Sequence, residues 1–114
     1  PIYGPIKAAN VMQARQWAVE YARDGIRVNS ISPGAIDTPM VRASLEAQGG
    51  ADALANRHPI GRIGHPAEVA SAAVWLCSDS ASFITGTDLE VDGGLGAFGA
   101  FAAPYQTPNQ QLRH

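Results

Sequence analysis

Hydrophobic side chains recur with a helical period in the first quarter of the chain. Steps of three and four residues recur among Ile6, Met12, Ala14, Trp17, Ala18 and Tyr21, most clearly from Ala14 onward. Pro5 suits the first turn of a helix, because the N–H that proline lacks has no partner there. Gly25 follows as a candidate left-handed cap. The pattern therefore predicts a helix from about Gly4 to Ala22.

Three further elements follow from the pattern of apolar and polar positions. Alternation over residues 26–32 predicts a short strand, which Pro33 and Gly34 end. A broad apolar stripe predicts a helix over residues 66–77, and residues 87–91 predict a second strand. Helix, strand, helix and strand in this order predict an α/β fold with parallel strands. A parallel sheet needs both faces covered, so two strands imply that other strands come from elsewhere.

The remaining segments are less regular. Thr38 and Pro39 are expected to start a short helix, and the rest of residues 35–64 reads as a connection rather than a core element. Residues 95–114 are rich first in Gly, Ala and Phe and then in Pro, Gln and Asn, and they are predicted to form an extended tail.

Composition narrows the class of protein. The 114 residues carry a net charge of −2 and are 46% hydrophobic, which argues against disorder. The absence of a basic run argues against nucleic-acid binding, and no apolar stretch is long enough for a membrane span. A lone cysteine, Cys77, excludes an internal disulfide framework, and its place on an apolar stripe predicts a buried, inert thiol. A cytoplasmic protein is expected.

Tyr3 and Lys7 lie four residues apart, which places them on one face of a helix about one turn apart. A phenol has an unperturbed pKa of about 10, and a nearby ammonium lowers that pKa because it favours the phenolate. The pair could then act as a general acid toward a carbonyl or as a general base toward an alcohol. The spacing leaves open a second interpretation, an exposed aromatic residue and a solvated lysine.

The turn after the first predicted strand is a candidate ligand site. Ligands of open α/β sheets bind beyond the carboxyl ends of the strands, and Gly34 lets a flat ligand approach the backbone closely. Thr38, four residues on, could hydrogen-bond an amide or a phosphate at a helix amino end. An ordinary turn from strand to loop is the alternative. His58 and His65 lack the neighbouring ligands of a metal site, so no metal site is predicted.

Taken in order, several motifs resemble the carboxyl-terminal portion of a short-chain dehydrogenase/reductase. Tyr3-Gly4-Pro5-Ile6-Lys7 resembles the Tyr-x-x-x-Lys motif of that family. The other matching segments are residues 25–34 (the sixth strand and its turn), residues 33–38 (Pro-Gly-x-x-x-Thr), residues 61–70 (the entry to the last large helix) and residues 82–94 (the closing strand). Residues 1–96 are thus expected to be the carboxyl-terminal part of an NAD(P)-binding domain, and residues 97–114 an extended tail.

The resemblance implies a Rossmann-type, doubly wound parallel sheet. It also implies an enzyme that passes hydride between a nicotinamide cofactor, NAD or NADP, and a small carbonyl or alcohol substrate. By the family pattern, Tyr3 is the catalytic acid/base. Lys7 lowers the pKa of Tyr3 and holds the nicotinamide ribose hydroxyls, so both residues also bind the cofactor.

The family pattern implies further cofactor contacts after the first strand. Pro33, Gly34 and the backbone of Ile36 would meet the nicotinamide amide. Thr38 would bond the amide or the pyrophosphate, with Met40 nearby. The Gly-rich dinucleotide motif is absent from these 114 residues, so an amino-terminal half is expected to supply it and the isolated chain is expected to be inactive.

Partners are implied by the same resemblance. The helices at residues 5–22 and 66–77 match elements of the family's subunit interfaces, so a homodimer or homotetramer is expected. The alternative to an enzyme is a non-catalytic assembly module, which would use these two helices to bind itself or a full-length relative.

Overall fold

A computed structural model describes residues 3–47 and 54–98, with the backbone alone for residues 3–6. Helices and strands alternate along these residues, and each element is short except the first. The elements in order are α1 (Tyr3–Tyr21), β1 (Ser30–Pro33), α2 (Pro39–Ala47), α3 (Pro66–Cys77), β2 (Asp88–Val91) and α4 (Leu95–Phe98).

Helix α1 confirms the element that the apolar spacing predicts. It spans 19 residues and passes into a 3-10 turn at Ala22–Asp24. Gly25 then adopts a left-handed conformation, with φ of 77°, and its N–H donates to the Ala22 carbonyl over 3.1 Å. Glycine reaches this conformation without a steric cost, which explains why the helix ends there.

Strands β1 and β2 form a two-stranded parallel sheet, as predicted. The Ser30 N–H donates to the Thr87 carbonyl over 3.0 Å, and the Gly34 N–H donates to the Val91 carbonyl over 3.1 Å. Both partners advance by four residues between these two bonds, which is the register of a parallel pair. The carboxyl ends of the two strands therefore meet at one edge of the sheet.

Strand β1 begins four residues later than the alternating pattern predicts. Ahead of β1, the Gly86 N–H donates to the Val28 carbonyl over 2.8 Å, and side chains replace the other bonds of a backbone ladder. The Val28 N–H donates to the Thr85 hydroxyl oxygen over 3.1 Å, and the Asn29 side-chain oxygen accepts from the Thr87 N–H over 3.0 Å. Pro33, predicted to break the strand, is its last residue. A terminal position tolerates proline, which has no N–H for the ladder.

The described residues fall into two compact units. Within the described ranges, the first combines residues 3–32 with 71–89, and the second combines residues 33–47, 54–70 and 90–98. Buried apolar side chains in the first unit are small apart from one leucine: Ala14, Ala18, Leu76 and Ala81. In the second unit, Leu45 and His58 are buried.

A carboxylate organises the polar interior of the first unit. Asp88, at the start of β2, accepts a hydrogen bond from the Ser30 hydroxyl over 2.6 Å. The Ser32 hydroxyl lies 2.9 Å from both oxygens of the same carboxylate. Ser30 and Ser32 are two apart in β1, so they share a face of the strand, and one Asp88 side chain serves both.

Helix α3 has the predicted bounds, yet its apolar stripe is mostly uncovered. Leu76 is its one buried residue within the described part of the chain, whereas Val74 is 70% exposed. Cys77 is exposed, so the prediction of a buried thiol is wrong. An apolar stripe shows which face of a helix is suited to burial, but it does not show which part of that face this chain itself covers.

Two predictions of irregular structure need correction. Helix α2 starts at Pro39, as predicted, but the rest of residues 35–64 is more than a connection, because the buried His58 lies within it. The tail begins with helix α4, so residues 97 and 98 are helical, and residues 99–114 lie outside the described part. Among the described helices, none combines the length and apolarity that crossing a membrane requires.

Candidate functional site

The candidate site is built on the turn that leaves β1, in the second unit. A Cβ atom added to Gly34 would lie 2.9 Å from Nε2 of His58 and 3.0 Å from Cα of Asp92. Contacts this short are not tolerated without movement of the neighbouring groups. The turn is therefore packed closely on its inner side, and glycine is the residue that fits.

Ile36 follows this turn in an extended conformation and pairs with Gly64 in an isolated parallel bridge. The Gly64 N–H donates to the Ala35 carbonyl over 2.9 Å, and the Asp37 N–H donates to the Gly64 carbonyl over 2.8 Å. Backbone groups of successive residues in an extended segment point to opposite sides. The N–H of Ile36 therefore points away from Gly64.

The N–H of Ile36 makes no hydrogen bond within the described residues. The N–H groups around it are engaged: Gly34 donates to Val91, Ala35 donates to His58, and Asp37 donates to Gly64. A buried or half-buried N–H is normally paired with protein, water or ligand. The N–H of Ile36 is thus left available just beyond the carboxyl end of a parallel strand, which is where ligands of α/β sheets bind.

Thr38 acts as the amino-terminal cap of α2. Its hydroxyl oxygen accepts from the Val41 N–H over 3.2 Å, and its carbonyl accepts from the Arg42 N–H over 2.9 Å. The hydroxyl proton of Thr38 can still be donated to a ligand. Met40, in the first turn of the helix, is 83% exposed.

An ion pair flanks this cap. Nε of Arg42 lies 2.5 Å from one Asp37 oxygen, and a second guanidinium nitrogen lies 2.7 Å from the other. The hydrogen bond from Arg42 is the main reason that the pKa of Asp37 is lowered. Asp37 therefore stays negatively charged beside the turn, and its charge is matched by Arg42.

The turn after β2 lies in the same unit and is held by its own aspartate. One oxygen of Asp92 accepts from the Gly94 N–H over 3.0 Å, and the other accepts from the Gly96 N–H over 2.9 Å. Ile60 donates its N–H to the Gly93 carbonyl over 3.0 Å. These bonds fix the chain that packs against Gly34.

Tyr3 and Lys7 lie on the first turns of α1, in the first unit. The helix begins at Tyr3, so the predicted spacing of one turn between the two residues holds for the backbone. Lys7 is half-buried, and the side chain of Tyr3 lies outside the described residues. Pro33, Gly34, Ile36, Thr38 and Met40 follow one another in the second unit.

Sequence reasoning missed the part that His58 plays. The prediction treated it as a loop residue that does not bind metal, yet its side chain is buried to 2% exposure and contacts the turn after β1. The spacing of residues gives no signal for this contact, because the two segments are more than twenty residues apart in the chain.

Comparisons with known proteins identify the family. The sequence profile described as enoyl-(acyl carrier protein) reductase matches residues 1–96. The 3β-hydroxysteroid dehydrogenase 1 of Eggerthella lenta is 47% identical over 100 residues, which are 87% of this chain and 38% of that enzyme. The chain therefore spans well under half the length of this relative.

Solved structures give the same picture. A C-terminal deletion mutant of the aldohexose dehydrogenase of Thermoplasma acidophilum superposes with a TM-score of 0.78 at 41% identity, over 83% of this chain and 45% of that one. The structure of ElxO with NADP bound superposes with a TM-score of 0.77 at 31% identity, over 83% of this chain and 39% of that one. These are Rossmann-type proteins, which confirms the predicted fold class.

The sequence profile covers most of the chain, and the relatives and the solved structures agree with it. The Eggerthella relative is named a dehydrogenase, the sequence profile is described as a reductase, and ElxO was solved with NADP bound. The chain belongs to the short-chain dehydrogenase/reductase family of oxidoreductases.

Proposed function

We propose that the protein containing this chain transfers hydride between NAD or NADP and a carbonyl or alcohol substrate. The observation that carries the proposal is the N–H of Ile36, which has no partner within the described residues beside a turn that only glycine fits. A planar carboxamide needs such a donor and such close access to the backbone. Membership of the family supports the same assignment.

The residues after β1 would hold the nicotinamide end of the cofactor. The Ile36 N–H would donate to the carboxamide oxygen, with Pro33 and Gly34 against the ring. The Thr38 hydroxyl would donate to the amide or the pyrophosphate, and Met40 would lie nearby. Bound cofactor supplies the hydride acceptor or donor, which no side chain of the chain can supply.

We assign to Tyr3 the transfer of the proton to or from the substrate oxygen. In the direction of reduction, its hydroxyl gives a proton to the carbonyl oxygen, and in the direction of oxidation the phenolate takes the proton of the alcohol. Lys7, one helical turn away, stabilises the phenolate by its positive charge and binds the ribose hydroxyls of the cofactor. The catalytic residues proposed within this chain are thus Tyr3 and Lys7.

Substitution of Tyr3 by Phe tests this role in the longest natural protein that contains the sequence. We expect Tyr3→Phe to lower kcat by about 10²–10⁴-fold, because the proton donor is lost, while the Kd of the cofactor changes little. Tyr21→Phe is the matched control, since Tyr21 is an exposed tyrosine at the other end of the same helix. Full activity of Tyr3→Phe would remove Tyr3 from the mechanism.

Two probe reactions follow from the relatives, and we refer to them as the substrate panel. A 3β-hydroxysteroid and an aldohexose are offered with the oxidised cofactor, because the names of two similar proteins contain these substrates. Turnover of either would define the alcohol class, and the other member serves as a negative control.

A second candidate function is a homo-oligomeric assembly module, either within the enzyme or without catalysis. Uncovered apolar side chains favour it, since Met12 and Val19 on α1 are 60% and 81% exposed and Val74 on α3 is 70% exposed. Apolar surface of this kind is typical of faces that other protein covers. Turnover of the substrate panel separates an enzyme that assembles from a module that only assembles.

A further inference from the structure

We propose that His58 is a positioning residue for the cofactor site, which holds the turn after β1 so that Ile36 presents the available backbone N–H. The inference rests on the proposed function, because it assigns a purpose to a donor that the cofactor would use. His58 acts through the backbone of Ala35.

Both ring nitrogens of His58 are engaged. Nδ1 lies 2.9 Å from the Leu54 carbonyl oxygen, and Nε2 lies 3.1 Å from the Ala35 nitrogen. A carbonyl oxygen can only accept and a backbone N–H can only donate, so Nδ1 carries the proton and Nε2 accepts. The neutral Nδ1–H tautomer is the form that satisfies both contacts.

The ring is held in place by the backbone around it. The His58 N–H donates to the Ala55 carbonyl over 3.1 Å, and the His58 carbonyl accepts from the Gly61 N–H over 2.8 Å. The next residue, Pro59, lies close to Gly94, and Ile60 is bonded to Gly93. The imidazole is therefore held in one conformation by its two hydrogen bonds and by the backbone on either side of it.

The imidazole of His58 contacts the part of the turn that the cofactor would approach. Nε2 lies 2.9 Å from the position that a Cβ of Gly34 would occupy, and it takes the N–H of the residue directly before Ile36. If Nε2 were lost, the Ala35 N–H would become a second donor without a partner and the turn would lose a contact. His58 thereby makes the Ile36 N–H the one donor left available among residues 34–37 within the described part of the chain.

Substitutions at His58 separate the hydrogen bond from the shape of the ring. His58→Phe keeps an aromatic ring and removes both bonds, and His58→Gln keeps one acceptor and one donor on an amide. In the longest natural protein that contains this sequence, we expect His58→Phe to raise the Kd of NADP or NAD by about tenfold, the effect of one hydrogen bond. His58→Gln should recover most of this loss, and the KM of the substrate at saturating cofactor should be unchanged in both.

His65→Phe is the matched control, because His65 is exposed and, within the described residues, its hydrogen bonds are made by its backbone alone, both with Glu68. It should bind cofactor as the unsubstituted protein does. A Kd of His58→Phe within about twofold of the unsubstituted value would overturn the inference. Failure of the unsubstituted protein to bind NAD or NADP at all would instead reject the proposed function.

A spectroscopic measurement keeps the inference testable even if the substituted proteins do not fold. Nitrogen NMR of histidine-labelled protein, with the ring signals of His58 assigned through their correlation with the backbone signals of the same residue, can report the tautomer of His58 without any substitution. We expect a proton on Nδ1 and none on Nε2. A ring that is protonated on Nε2 cannot accept from Ala35 and would contradict the inference.

Discussion

Glu68 shows how one exposed side chain can order the entry to a helix. Its carboxylate receives two hydrogen bonds from Arg62, over 2.7 and 3.0 Å, and a third from the His65 N–H over 2.9 Å. His65 precedes α3, so this third bond is the half of a capping box in which the N3 carboxylate reaches back to the cap. The hydrogen bonds of Arg62 and then of His65 lower the pKa of Glu68 to about 2.

Stability should therefore depend on pH through Glu68. A carboxyl whose pKa is lower in the folded state than its ordinary value of 4.5 contributes stability above that value, and the contribution is lost as pH falls toward about 2. We expect Glu68→Gln to lower Tm at neutral pH, and the difference in Tm to shrink between pH 4.5 and about 2. Thermal unfolding followed by circular dichroism across this range measures it.

Glu46→Gln is the control, because Glu46 is an exposed carboxylate on α2. It should change Tm little at any pH. A difference in Tm for Glu68→Gln that is as large near pH 2 as at neutral pH would show that the carboxylate charge does not stabilise the helix entry.

At the scale of elements, the three helices with predictive signals were found close to the expected positions. Pro5, Pro39 and Pro66 lie in first turns, and Gly25 ends α1 in the left-handed conformation. Start and stop signals of this kind act within one turn, so a sequence displays them directly. Strand β2 also lies close to its expected position, since it begins one residue later than predicted.

Features that depend on distant segments could not be predicted from the sequence. The start of β1 is decided by Thr85 and Thr87, more than fifty residues away, which bond Val28 and Asn29. His58 likewise owes its burial to the turn at Ala35. The local sequence pattern carries no information about such distant partners, and for this reason it did not reveal the contact between His58 and the turn after β1.

Gly34, in the turn after β1, should tolerate an added methyl group less well than Gly64 does. A Cβ at Gly34 would meet a fixed imidazole and the backbone of Asp92, whereas a Cβ at Gly64 would meet closely only Cδ1 of Ile36, the end of a flexible side chain. We expect Gly34→Ala to lower the free energy of unfolding by about 1–3 kcal/mol and to weaken cofactor binding. Urea denaturation and cofactor titration measure the two effects.

Gly64→Ala is the matched substitution, and it should cost less on both measures because Ile36 can change rotamer. Equal losses for the two variants would mean that the turn after β1 is not held as closely as its contacts with His58 and Asp92 indicate.

At the scale of the whole molecule, the chain is one part of a Rossmann-type domain. It covers 38% of the Eggerthella relative and 45% of the Thermoplasma structure that it resembles. Large apolar side chains such as Val19 and Val74 lie uncovered in the chain taken by itself. Both observations agree with the expectation that a two-stranded parallel sheet needs further strands and helices to cover it.

Hydride transfer from the alcohol to the cofactor can be followed with an isotope. The longest natural protein that contains this sequence is incubated with oxidised cofactor and each member of the substrate panel deuterated at the carbinol carbon. The recovered cofactor is then analysed by mass spectrometry and NMR. We predict that one deuterium appears at C4 of the nicotinamide for a substrate that is turned over, and that Tyr3→Phe suppresses the transfer while Tyr21→Phe does not. Oxidation of the alcohol that leaves the nicotinamide without deuterium would show that no hydride passes from the substrate to the cofactor, which contradicts the proposed function.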